Sequence, residues 1–223
     1  MAAVDDLKDH PRTFLRDNIL VVIGPSDNIG GVRPARLSRS NTQGYNALMN
    51  NAAMPVYTLN VQPGAHNVGD NLDVYWCPYQ GDAHNGTTLP GPGGGNNNPN
   101  VMFTYGMDGC TFAWGSTTPD KTVQVRHANC PGGEDGARQQ RLMQKQVCRV
   151  LLNNARIIDP DDYYDQANFP NINFPPQLKI STVTFGRRSS NDGWNFYTHQ
   201  YYTKLGTGNP NSPKYFMGMT RFR

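Results

Sequence analysis

The sequence predicts an α+β fold, a β-sandwich core of mainly antiparallel strands flanked by one or two helices. Three observations lead there. Short apolar or alternating runs bounded by Gly, Pro and Asn recur along the chain, and only one long stretch carries helical spacing. Aromatic residues, 11 Tyr, 9 Phe and 3 Trp among 223 residues, supply bulky surface that buries at low entropic cost. Composition shows no break large enough to separate two cores, so residues 1–223 are expected to form one domain.

Taken in order, FLRDNILVVI at 14–23 reads as a strand that stops at Gly24-Pro25. Residues 24–54, rich in Ser, Asn, Gly and Arg, read as an irregular connection with a short helix around Tyr45 to Asn51. PVYTLNVQ at 55–62 alternates with period two and NLDVYWCPY at 71–79 is aromatic, so both read as strands joined by a turn over QPGAHNVGD. LPGPGGGNNNPN at 89–100 cannot bury apolar surface and reads as an exposed loop; its glycines match no phosphate-cradling motif. VMFTYGMDGCTFAW at 101–114 reads as a strand, a tight turn at Gly106 to Gly109 and a second apolar stretch starting at Cys110. KTVQVRHA at 121–128 returns as an alternating strand. A helix is expected from about Asp135, its cap, to Asn153, burying Leu142, Val147, Val150 and Leu151. After a Pro-, Asn- and Tyr-rich stretch at 159–177, LKISTVTFG at 178–186 and WNFYTHQYYT at 194–203 read as the final strands.

Several function classes fall away on charge and pattern. The net charge is +3, but Lys and Arg are scattered singly, with no stripe of the kind nucleic acid requires. The start MAAVDDLKDH lacks the basic and apolar regions of a secretory signal, and no run approaches the roughly 20 apolar residues that span a bilayer. The expectation is a chain made in the cytoplasm that touches neither nucleic acid nor membrane and acts as a monomer. Cys77, Cys110, Cys130 and Cys148 lack paired metal-ligand spacing and include no Cys-x-x-Cys. Each reads by default as a small buried hydrophobe, Cys148 most plainly because it lies in the helix.

Cys110 stands apart because it follows glycine at a tight turn. A nucleophilic thiol needs an exposed sulfur, a base, and donors for an oxyanion; glycine clears the approach and turn N–H groups can face a bound carbonyl. His127 follows by 17 residues, room for one strand, a loop and an antiparallel return that brings imidazole to thiol. His10, His66 and His84 lie in polar segments and read as solvated; His199 reads as a packed surface residue.

FTYGMDGCTFAWG followed by VRHAN resembles the active-site region of the glutamine deamidase toxins that comprise Burkholderia lethal factor and the cytotoxic necrotizing factors. There an FTY segment leads to Leu-Ser-Gly-Cys and a histidine follows in the next strand. VYWCPYQGD looks like that family's Trp-x-Pro-Trp strand, and VTFGRR lies near the end, so the likeness runs roughly from 71 to 203. It departs where Met-Asp-Gly-Cys replaces Leu-Ser-Gly-Cys and where the loop from cysteine to histidine is longer. The resemblance implies a β-sandwich with surrounding helices, Cys110 as nucleophile, His127 as base and Thr104 as an accompanying hydroxyl. It also implies conversion of a protein glutamine to glutamate without metal or cofactor. Its implied targets are host cytosolic proteins, a Rho-type GTPase or a translation-initiation RNA helicase, reached by delivery or release into the host cell. Three alternatives stay open on residues alone: a cysteine protease, a transglutaminase side activity, and a non-enzymatic β-sandwich binding module in which Cys110 and His127 only pack.

Overall fold

A computed structural model describes residues 2–222 apart from 26, 62–70, 82, 93–97, 117–121, 131–136, 165, 190–192 and 205–210. The turn expected over QPGAHNVGD, the Asp135 cap, His66 and the centre of the Gly/Asn-rich loop therefore lie outside the described residues.

The chain opens with helices α1 (Ala3–Asp9) and α2 (Pro11–Asp17) and strand β1 (Ile19–Ile23). The strand expected from Phe14 is thus half helix. Pro11 sits in the first turn of α2, where its missing N–H is no loss, and Phe14 and Leu15 turn into the core from helical positions. Strands β2 (Gly31–Arg39), β3 (Gly44–Asn46) and β4 (Ala52–Ala53) replace the expected irregular connection. In β2 only the alternate residues Ala35 and Leu37 are buried, and Arg36 between them, with Arg33 and Arg39 on either side, disguises the period. No helix forms at 45–51. Asn46 Oδ1 accepts the Leu48 N–H at 3.0 Å, and Asn50 and Asn51 take left-handed φ angles of 48° and 57°, which asparagine tolerates and a helix does not.

There follow β5 (Val56–Val61), β6 (Asn71–Cys77), β7 (Ala83–Leu89), β8 (Val101–Thr104), β9 (Thr111–Ser116) and β10 (Val123–Asn129). Helix α3 (Ala137–Leu151), β11 (Arg156–Ile158), α4 (Pro160–Tyr164), β12 (Leu178–Ser189), β13 (Gly193–Lys204) and β14 (Lys214–Phe222) complete the chain. Strands β7, β11 and β14 have no counterpart in the sequence expectation. In β7 the sequence AHNGTTL has poor strand propensity, and Gly86 is required because a Cβ there would collide with the Val125 carbonyl oxygen.

Two sheets result, one of order β1-β5-β2-β6-β8-β12-β13-β14-β3-β4 and one of order β11-β9-β10-β7. Pairing is antiparallel except at β1–β5, β6–β8 and β14–β3, so the α+β class and mainly antiparallel sandwich are as expected. One face of the large sheet packs Leu59, Val74, Val183 and Phe185 with Leu7 and Leu15 of α1 and α2. Its other face packs Cys77, Met102 and Phe196 against Phe112 and Val125 of the small sheet. The far side of the small sheet, Ala113 and Ala128, is covered by Cys148 in the last turn of α3 and by Leu152 just beyond it.

That helix buries a different stripe from the one expected. Leu142 is 58% and Val150 79% exposed, whereas Gln144, Cys148 and Leu152, spaced four apart, are buried. A polar residue can sit inside because Gln144 Oε1 accepts the Thr111 hydroxyl at 2.8 Å.

Candidate active site

Register brings the three candidate residues into one layer. His127 on β10 is the partner of Phe112 on β9, so the two side chains share a face of the small sheet. Cys110 lies two residues before Phe112 and packs in the same inter-sheet cluster, while the intervening Thr111 points to α3. Cys110 and His127 therefore occupy diagonal positions facing the large sheet, a relation in which Cα separations run about 7–8 Å. Thr104, at the end of β8 in the large sheet, crosses the layer: its Oγ1 lies 2.6 Å from His127 Nδ1. His127 Nε2 is buried and has no hydrogen-bond partner among the described residues. The Tyr79 ring tilts over the imidazole at 4.9 Å and meets Tyr105 at 5.6 Å, forming an aromatic wall.

The turn before the nucleophile is fixed at three points. Met107 exchanges backbone hydrogen bonds with Thr182 at 2.7 and 3.0 Å, tying the turn to β12. Gly109 adopts φ +133°, and an added Cβ would meet nothing within 4 Å, so the position demands glycine for its backbone angle. The buried Tyr163 hydroxyl accepts the Gly109 N–H at 3.1 Å and donates to Cys110 O at 2.6 Å. That bond commits the Gly109 N–H, so this turn amide is not free for an oxyanion. Tyr163 comes from α4, 53 residues beyond Cys110. Nothing in its Tyr-rich segment marks it out, since only the tertiary path of the chain brings it there.

Electrostatics hold the pair neutral at rest. Burial, with a smaller contribution from the Asp108 charge, pushes the Cys110 thiol up to about 12, against a hydrogen bond from the Asp108 backbone. Burial pushes His127 down to about 3, slightly opposed by Asp108. The proton thus rests on sulfur, and the imidazole is a neutral acceptor throughout the ordinary pH range. Asp108 itself pairs with Lys179 at 2.7 Å on half-exposed surface, a contact of small energetic weight.

Among the other histidines, His10 and His84 are exposed, as expected. His199 is not a surface residue: it is fully buried, and its Nε2 accepts the Leu20 N–H at 3.2 Å.

No family model and no curated protein matches the chain. Among solved structures it is similar to the C-terminal domain of CNFy from Yersinia pseudotuberculosis, with a TM-score of 0.41 at 12% identity. That alignment covers 99% of this chain and 96% of the other. A likeness of this strength decides nothing about chemistry, which rests on the residues themselves.

Proposed function

We propose that the chain is a protein glutamine deamidase working through Cys110 and His127. The observation that carries the reading is the His127 imidazole, tethered at Nδ1 by Thr104 and left with a bare, buried Nε2 in the layer that Cys110 faces. An imidazole fixed on one nitrogen and unspent on the other is what a general base beside a thiol requires.

In the reaction, the Cys110 proton passes to Nε2 as sulfur attacks the glutamine carboxamide carbon, giving a tetrahedral oxyanion. The imidazolium returns that proton to the departing nitrogen, ammonia leaves, and a thioester remains. Water then attacks the thioester, giving its proton to Nε2; glutamate is released and the thiol is restored. Because burial disfavours both charged forms, proton transfer is coupled to attack rather than preceding it. The motif resemblance supports a toxin role in a host cytosol, with a Rho-type GTPase or a translation-initiation RNA helicase as target.

A second reading is favoured by one observation: Cys110 is only 4% exposed, and all four cysteines are buried. In that reading the protein is a β-sandwich binding module and the pair merely packs. Incubation with host lysate and with purified members of both target classes separates the two. The deamidase gives a gain of about one dalton at a glutamine and Cys110→Ser abolishes it, since a hydroxyl packs alike but is a far weaker nucleophile. No such gain in any target, with Cys110 no faster than its neighbours toward iodoacetamide, overturns the proposal.

A further inference from the structure

The Thr104 hydroxyl has a second neighbour. Cys77, the last residue of β6, is its partner in the parallel β6–β8 pair, and Cys77 packs in the inter-sheet cluster beneath His127. As register partners the Cys77 and Thr104 side chains stand side by side in that layer, and the thiol, pushed up by burial, is drawn partly back by its interaction with the Thr104 hydroxyl. Cys77 and Thr104 are fully buried and His127 is 1% exposed, so water does not compete for these groups.

A hydroxyl has one proton to give, so only two arrangements satisfy the chain. If Thr104 gives its proton to Nδ1, the imidazole must carry its own on Nε2, where that N–H is buried with no described partner. If Thr104 gives its proton to sulfur, its oxygen accepts Nδ1–H and Nε2 keeps a lone pair. Buried donors are left unpaired more rarely than acceptors, which favours the second arrangement.

We propose that Cys77 is a positioning residue: its sulfur draws the Thr104 hydroxyl proton and thereby holds His127 in the Nδ1–H tautomer whose Nε2 is a bare base. The inference rests on the reading of Cys110 and His127 as an acid–base pair, and it gives a second buried thiol a role beyond packing. Burial pushes this thiol strongly upward, so it stays neutral beside the Thr104 hydroxyl.

Long-range proton–nitrogen NMR of the labelled protein, with His127→Gln to assign the ring, reads the tautomer without any substrate. Wild type and Cys77→Ser are expected to carry the proton on Nδ1, because a hydroxyl also accepts. Cys77→Ala is expected to shift it toward Nε2 and to slow iodoacetamide alkylation of Cys110 about tenfold, the low end for losing a histidine's outer partner. A wild-type proton on Nε2, or an Nδ1–H tautomer unchanged in Cys77→Ala, overturns the proposal. Should Cys77→Ala not fold, wild type alone still decides, since it must carry Nδ1–H. Failure to find a deamidated target would strike the proposed function and leave the tautomer result standing.

Discussion

Two histidines lie on opposite sides of the ten-stranded sheet, and the contrast between them isolates what a candidate base needs. His199 points into the core beneath α1 and α2 and stacks on Phe216 at 5.1 Å. His127 lies over the other face, between the sheets. Both are buried, and burial pushes both down to about 3. Desolvation alone therefore produces a neutral imidazole and does not make it functional. Each ring has one engaged nitrogen and one buried nitrogen without a hydrogen-bond partner among the described residues, so the difference is where the bare nitrogen sits: His199 Nδ1 lies in the core beneath α1 and α2, whereas His127 Nε2 lies in the inter-sheet layer that Cys110 faces.

The largest test of that contrast is to remove each ring. His127→Ala is expected to lower deamidation about 10³-fold, within the range for loss of a general base. His199→Leu is expected to leave turnover unchanged while costing about 1–3 kcal/mol, because it strands the Leu20 N–H in the core. Urea melts and turnover on one target check both. If activity falls in step with stability in the two variants, the distinction between them is lost.

A smaller effect comes from the tether. Thr104→Val keeps the β-branched shape in a fully buried strand end but removes the hydroxyl that meets Nδ1. Turnover should fall about 10²-fold with little change in stability. An unchanged rate would mean that the 2.6 Å contact holds the ring only for packing.

Local patterns made much of this site legible. A strand, a glycine turn, a cysteine and an alternating return strand suffice to place Cys110 and His127 on neighbouring elements, and β9 and β10 pair as that pattern requires. What was illegible depends on tertiary partners. Thr104 is named only through the family resemblance, because it lies on the other sheet and meets His127 only where the sheets stack. Tyr163 reaches the turn from a segment whose periodicity says nothing of its destination. In α3 the hydrophobic count picked Leu142 and Val150, whereas the small residues of the sheet beneath admit Cys148 and Leu152. Phe14 and Leu15 are equally apolar in a helix or a strand, so composition could not place the boundary before Ile19.

The finest test is the pH dependence of stability, where the two rings should behave alike. With a folded pKa of about 3 and an ordinary value near 6.5, each histidine binds a proton in the unfolded chain but not in the folded one between those limits. Stability therefore rises with pH across that window and is lost as pH falls from about 6.5 toward about 3. Each ring contributes a slope of about 1.4 kcal/mol per pH unit. Carboxylate pairs such as Asp17 with Arg16, which lowers the aspartate, act only at the acid end of the window. Urea melts in steps from neutral to mildly acid pH should give the combined slope in wild type, and His199→Leu should remove half of it. A flat profile above the carboxylate range would mean that both imidazoles are charged inside the fold. That outcome would remove the neutral base from the proposed site, because a protonated His127 cannot take the Cys110 proton.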